Sequence, residues 1–80
     1  MPITIKLFAH YRDLLGKPEL SIPARPGMTV AEVYDATIGD RVNSELRKST
    51  MFAVNESYVP ADTKVNDGDR VAFIPPVSGG

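Results

Sequence analysis

The residues of this chain with the most chemical promise lie at its end. A strand-like run, Arg70-Val71-Ala72-Phe73-Ile74, stops at Pro75-Pro76, and Val77-Ser78-Gly79-Gly80 follows with an α-carboxylate on the last of two glycines. Consecutive prolines lack backbone N–H groups and fix φ, so they end sheet pairing and hold the next residues on an extended course away from the body. Residues 75–80 reach at most roughly 20 Å at about 3.3 Å per residue. Gly79 and Gly80 carry no side chain, so the tip fits a slot too narrow for any Cβ. Glycine loses more conformational entropy on ordering than other residues, so an exposed tip of this kind is expected to be mobile when free and ordered inside a partner. The plainer alternative is a frayed terminus, as most domains have.

Side-chain chemistry offers little competition. His10 is the lone histidine and sits by a short helix, where a surface role is favoured over a catalytic base. No Ser/His/Asp set, glycine-rich phosphate loop or metal-ligand spacing is present. With no cysteine, disulfides, thiolate metal sites and a catalytic thiol are excluded. Nine Lys+Arg against ten Asp+Glu give a formal charge of −1, which provides no electrostatic footprint for nucleic acid or an anionic membrane. No apolar run approaches a membrane span or a signal-peptide core, and the cytoplasm is the simplest location. At 80 residues the chain is one domain with little room for an internal active site.

The elements that must position the tail follow from periodicity. Ile3-Thr4-Ile5-Lys6-Leu7 alternates as a strand with Ile3, Ile5 and Leu7 facing the core, which turns Phe8 outward with Thr4 and Lys6. Tyr11, Leu14 and Leu15 at helical spacing, with Gly16 as a stop, predict one or two helical turns over 9–15. Leu20 and Ile22 alternate in a short strand between Pro18 and Pro23, an edge-side partner of the first strand. Thr29 and Glu32 have the spacing of a capping box, with Met28 and Val33 as its staple. Val30, Val33, Tyr34 and Ile38 then form one face of a helix that ends at Gly39. The polar stretch 40–48 reads as loop with a weak helical turn.

Thr50-Met51-Phe52-Ala53-Val54 reads as a buried strand, Asn55-Glu56-Ser57 as a turn, Tyr58-Val59-Pro60 as a second short strand closing a hairpin, and 62–69 as turn-rich. The order is strand, strand, helix, strand, short strand, strand. A hairpin followed by a crossover helix predicts the next strand parallel to the first, in a mixed sheet with a helix across one face, an α+β roll. Val71 and Phe73 face one side of the final strand, Ala72 and Ile74 the other. Parity therefore gathers Phe8, Ile74 and Tyr58 on the outer face, where an apolar cluster would serve docking.

Asn55-Glu56-Ser57-Tyr58-Val59, Asp62-Thr63, Asp67-Gly68-Asp69-Arg70-Val71-Ala72-Phe73 and the ending Ile74-Pro75-Pro76-Val77-Ser78-Gly79-Gly80 resemble the small, sulphur-carrying subunits of molybdopterin synthase, in the ubiquitin-like MoaD/ThiS family. The likeness runs the length of the chain, and its most specific part is the Pro-Pro-Val-Ser-Gly-Gly ending. Gly-Gly alone is shared with ubiquitin-like modifiers and with the sulphur carrier of the thiamine pathway, which stand as alternative readings.

The resemblance implies a β-grasp domain over 1–74 with a flexible C-terminal tail over 75–80. It implies that a partner adenylyltransferase uses ATP to form an acyl-adenylate on Gly80, which a sulphur donor converts to a thiocarboxylate. The tail then enters the large synthase subunit and gives its sulphur to a pterin precursor, in an assembly with two copies of each subunit. The chain itself would bind no cofactor or metal and would not be an enzyme alone. By the same resemblance Gly80 is the carrier and Gly79 gives backbone access. Pro75, Pro76, Val77 and Ser78 guide insertion, while Phe8, Tyr58 and Ile74 meet partners. Arg70, with Asp67 and Asp69, would stand at the rim or form a solvated turn.

Overall fold

The computed structural model describes residues 1–76. Its elements are β1 (Ile3–Leu7), α1 (Ala9–Leu15), β2 (Glu19–Ile22), α2 (Val30–Thr37), α3 (Ser44–Ser49), β3 (Met51–Val54), β4 (Ser57–Val59) and β5 (Arg70–Ile74). The strands form one mixed sheet in the order β2-β1-β5-β3-β4, so the last strand of the chain is the middle strand of the sheet. β5 runs parallel to β1, with Ile5 opposite Val71 and Leu7 opposite Phe73. On its other side it runs antiparallel to β3, with Phe52 opposite Phe73 and Val54 opposite Val71. This is the α+β, ubiquitin-like β-grasp arrangement that the resemblance implies.

One expectation of topology is overturned. The strand that follows the helices, β3, is antiparallel to β5 and hence to β1. A helical crossover restores the direction of the strand that feeds it, and the feeding strand is β2, itself antiparallel to β1. The slot parallel to β1 is left for β5.

Each helix forms for local reasons. Thr29 caps α2: its hydroxyl accepts from the Glu32 N–H at 3.2 Å, and the Glu32 carboxylate accepts from the Thr29 N–H at 2.9 Å. Gly39, at φ 60°, takes the left-handed turn that ends α2 and donates to the Tyr34 carbonyl. The stretch read as loop with a weak helical turn contains a short helix, α3. Asn43 caps it by accepting from the Leu46 N–H at 2.8 Å, and tertiary contacts fasten it. Arg47 pairs with Asp35 of α2 and lies over the Tyr34 ring, 5.0 Å from its centroid; the Asp35 hydrogen bond raises the Arg47 pKa further.

The core lies between the sheet and the helices. Ile3, Ile5, Leu7, Val71 and Phe73 from the strands meet Tyr11, Val30, Val33, Tyr34 and Ile38. Tyr11, Tyr34, Phe52 and Phe73 stack edge to face with centroids 5.0–6.1 Å apart, an arrangement favoured by the ring quadrupoles. Within it runs a buried polar chain. The Thr50 hydroxyl donates to the Leu46 carbonyl at 2.7 Å, and its oxygen lies 2.6 Å from the Tyr11 hydroxyl, which lies 2.6 Å from that of Tyr34. Because Thr50 has spent its hydrogen on Leu46, Tyr11 must donate to Thr50 and Tyr34 to Tyr11. Three hydroxyls thus link α1, α2 and the end of α3 in one direction.

That direction ranks two substitutions. Tyr34→Phe deletes the terminal donor and strands nothing, costing about 0.5–1.5 kcal/mol. Tyr11→Phe leaves the buried Tyr34 hydroxyl without an acceptor and costs about 1–3 kcal/mol more than the transfer of a ring alone. Urea unfolding checks the order, and equal losses would contradict the assigned direction. Burial, then the hydrogen bond with Tyr11, also lifts the Tyr34 phenol well above its ordinary 10.0. Unfolded chain ionises Tyr34 near that pH while folded chain keeps its proton, so stability present below about pH 10 declines above it. In pH-dependent urea melts, Tyr34→Phe flattens that decline.

Candidate functional site

The outer face of the sheet, opposite the helices, is built by strand register. Lys6, Ala72, Ala53 and Tyr58 stand side by side across β1, β5, β3 and β4. One step along, Ile74 lies opposite Met51. Phe8 follows Leu7, whose partner is Phe73, and keeps extended backbone at φ −122° and ψ 150°, which brings it beside Ile74 on the same face. Ala9 then takes φ 46°, a left-handed turn that swings the chain off the sheet into α1 and leaves the Phe8 ring outside the core.

Phe8, Met51 and Tyr58 are exposed by 45%, 53% and 65%, large apolar surfaces for a domain of this size. A shallow depression of about 400 Å³ lies between Phe8 and Tyr58. Ala53 and Ala72 lie at its floor, Phe8, Tyr58 and Ile74 stand at its sides, and Lys6 and Arg70 add two cations against the one carboxylate of Glu56. Small residues at the centre of the sheet with rings and an aliphatic chain around them leave an open, largely apolar depression.

Arg70 is held by its backbone. Its N–H donates to the Asn55 side-chain oxygen at 3.0 Å, and its carbonyl accepts from the Asn55 N–H at 2.8 Å. The Asn55 amide also donates to Asp69 at 3.1 Å, and the other Asp69 oxygen accepts from the Asn66 N–H at 2.8 Å. Asn55 and Glu56 both have positive φ, 50° and 72°, forming the tight link between β3 and β4. Asp69 is therefore spent on turn geometry, and Asp67 faces the N-terminal amine at 3.7 Å on the exposed surface. The Arg70 side chain is exposed on the outer face.

Pro75 is half-buried and Pro76 exposed, directly after Ile74 at the end of β5. Val77, Ser78, Gly79 and Gly80 lie outside the described residues. His10 is exposed, with its ring edge-on to Tyr11. Among the described residues no cluster of His, Cys, Asp and Glu could hold a metal ion, and no helix is long and apolar enough to cross a membrane.

Strand parity already turns Lys6 and Ala72 outward; sequence reasoning missed Met51 and Ala53 as parts of this face. The expected buried strand 50–54 is buried at Thr50 and Ala53, whereas Met51 is exposed. Met-Phe-Ala-Val has no alternation from which to tell one face from the other, and only pairing with β5 settles it.

A family model described as the ThiS family matches residues 5–80. The molybdopterin synthase sulfur carrier subunit of Arabidopsis thaliana is 34% identical over 79 residues, covering 98% of this chain and 82% of that protein. The protein of the same name from Escherichia coli (strain K12) is 35% identical over 80 residues, covering 98% and 99%. Among solved structures, SAMP1 from Haloferax volcanii superposes with a TM-score of 0.84 at 26% identity, covering both chains completely. In the complex of subunits 1 and 2 of molybdopterin-converting factor from Helicobacter pylori 26695, a chain matches with a TM-score of 0.66 at 21% identity, again covering both completely, a likeness of fold.

An exposed docking face has a signature that separates it from core. Tyr58→Ala and Met51→Ala change unfolding free energy by less than about 1 kcal/mol, whereas Phe73→Ala, from the opposite face of the same sheet, costs about 3–5 kcal/mol. Chemical denaturation of the three variants checks this; a large loss at Tyr58 would assign its ring to the fold.

Proposed function

Since the chain belongs to the ThiS family, we propose that it is the sulphur-carrier subunit of a molybdopterin synthase and that its Gly80 carboxylate is the group that becomes charged with sulphur. The observation that carries this reading is the position of β5. The strand leading to the terminal motif is the central strand, paired on both sides, and it ends at Pro75-Pro76 beside an exposed apolar face. Whole-length similarity to curated sulfur carrier subunits supports the choice of pathway.

The chemistry proceeds at the backbone terminus. A partner adenylyltransferase binds ATP, and the Gly80 carboxylate oxygen attacks its α-phosphorus, releasing pyrophosphate and leaving an acyl-adenylate whose carbonyl carries a good leaving group. Sulphur from a donor displaces AMP and leaves a thiocarboxylate, a softer nucleophile than the carboxylate it replaces. In the large subunit the tail gives up that sulphur to a pterin precursor, and a dithiolene, with its pair of sulphurs, consumes two charged carriers. Groups that stabilise the charge developing at the carbonyl belong to the partners. The chain therefore acts without catalytic side chains or a bound cofactor, in the cytoplasm, and docks through Phe8, Tyr58, Ile74 and Arg70. Gly79 gives the backbone access, and residues 75–78 steer the tail.

A second reading, a modifier whose tail forms an isopeptide bond with a lysine, is favoured by the close superposition on SAMP1. One experiment divides the two. Incubation with ATP, an activating enzyme and a sulphide source, followed by intact-protein mass spectrometry, gives a mass gain equal to exchange of one oxygen for sulphur, located on Gly80. A lysine conjugate with no sulphur exchange would transfer the assignment to the modifier reading. Removal of Gly79 and Gly80 abolishes charging while leaving the unfolding curve unchanged.

A further inference from the structure

A second surface lies on the β2 edge of the sheet, with β1 between it and β5. In the antiparallel pair of β1 with β2, the Leu7 N–H donates to the Pro18 carbonyl at 2.9 Å, and Ile5 and Ile3 face Leu20 and Ile22 at the same two-residue interval. Inter-strand bonds alternate along such a pair, so Leu20 and Ile22 direct their backbone groups at β1. Glu19 and Ser21 direct theirs away from the sheet. Two N–H groups and two carbonyls consequently line an edge that has no strand beyond it among the described residues. Pro18 and Pro23 bracket the strand and fix its usable length at four residues.

Behind this edge, on the helix side, a groove of about 350 Å³ opens between β2 and α2. Leu15, Leu20 and Ile22 give it apolar walls, Thr37 contributes from α2, and Lys17 and Arg41 stand in its lining without any carboxylate. Both cations are exposed. Neither is in an ion pair among the described residues, where the pairs are Met1 with Asp67 and Arg47 with Asp35. On a chain of net charge −1, an apolar groove whose charged residues are both basic is a local reversal of sign.

We propose that this edge binds a short extended segment of a protein partner. The segment pairs with β2 as a sixth strand, inserts an apolar side chain between Leu15, Leu20 and Ile22, and sets an acidic residue beside Lys17 and Arg41. Main-chain bonds to Glu19 and Ser21 supply the pairing, while the groove and its charges select the sequence. Because β1 separates β2 from β5, the tail exit stays uncovered. A carrier engaged here remains able to present its end elsewhere.

The test is an amide NMR titration of the full chain with a blocked hexapeptide, Val-Ile-Val-Leu-Asp-Glu. Shifts are expected at Lys17, over 19–22, and at Thr37 and Arg41. Ser21→Pro removes an N–H that faces away from β1, and it weakens binding about tenfold. Charge reversal at Lys17 and Arg41, both exposed, gives a loss of about the same size without touching the strand. Three results would each overturn the proposal: no shifts at millimolar peptide, shifts centred on Phe8, Tyr58 and Ile74, or equal binding by a peptide with lysines in place of Asp-Glu. Self-association of the chain through β2 in the absence of peptide would also do so, by making a second copy the occupant.

Discussion

The constraint on which the rest of the molecule depends is the pairing of β5 on both edges at once. A final strand at the margin of a sheet frays readily; one hydrogen-bonded to β1 on one side and β3 on the other cannot leave without opening the whole sheet. Its inward residues, Val71 and Phe73, are completely buried, and Phe73 joins the aromatic cluster with Tyr11, Tyr34 and Phe52. The terminal motif thus starts from the stiffest line in the domain. Pro75 and Pro76 then end the pairing, because neither can donate to a neighbour.

The same register divides labour between the two faces. Residues of one parity, Ile3, Ile5, Leu7, Val71 and Phe73, build the core with the helices; those of the other, Lys6, Ala72, Ala53, Ile74 and Met51, make a surface with Phe8 and Tyr58 at its margins. A slip by one residue would exchange the two sets, so the register that holds the fold also places the exposed apolar face beside the end of β5. Asn55 reinforces it by joining the β3–β4 link to the start of β5.

What could be read from the amino-acid order was whatever local spacing encodes. The Thr29–Glu32 cap, the Gly39 stop, the outward parity of Phe8 and Ile74 and the terminal motif each depend on neighbours a few residues apart. Of α3 only a weak turn was legible, because Ser-Glu-Leu-Arg-Lys-Ser has one apolar residue; its anchors, Asp35 and the Tyr34 ring, come from another helix. Met51 was hidden for the complementary reason, a run of apolar residues without alternation. The direction of β3 needed the recognition that a crossover answers to the strand before it. Of the alanine floor of the outer face, Ala72 was legible by parity with Ile74, whereas Ala53 needed the pairing of β3 with β5.

Under the proposed function, the backbone terminus that follows β5 is the entire reactive contribution of this chain. Stoichiometry tests it most directly. The chain is prepared with a thiocarboxylate at Gly80, mixed with a large synthase subunit and a pterin precursor, and the remaining thiocarboxylate is counted against dithiolene formed. Two charged chains are consumed for each dithiolene, with each spent chain recovered intact and ending in an ordinary carboxylate. Dithiolene formed at full rate while the thiocarboxylate stays on the chain would contradict it.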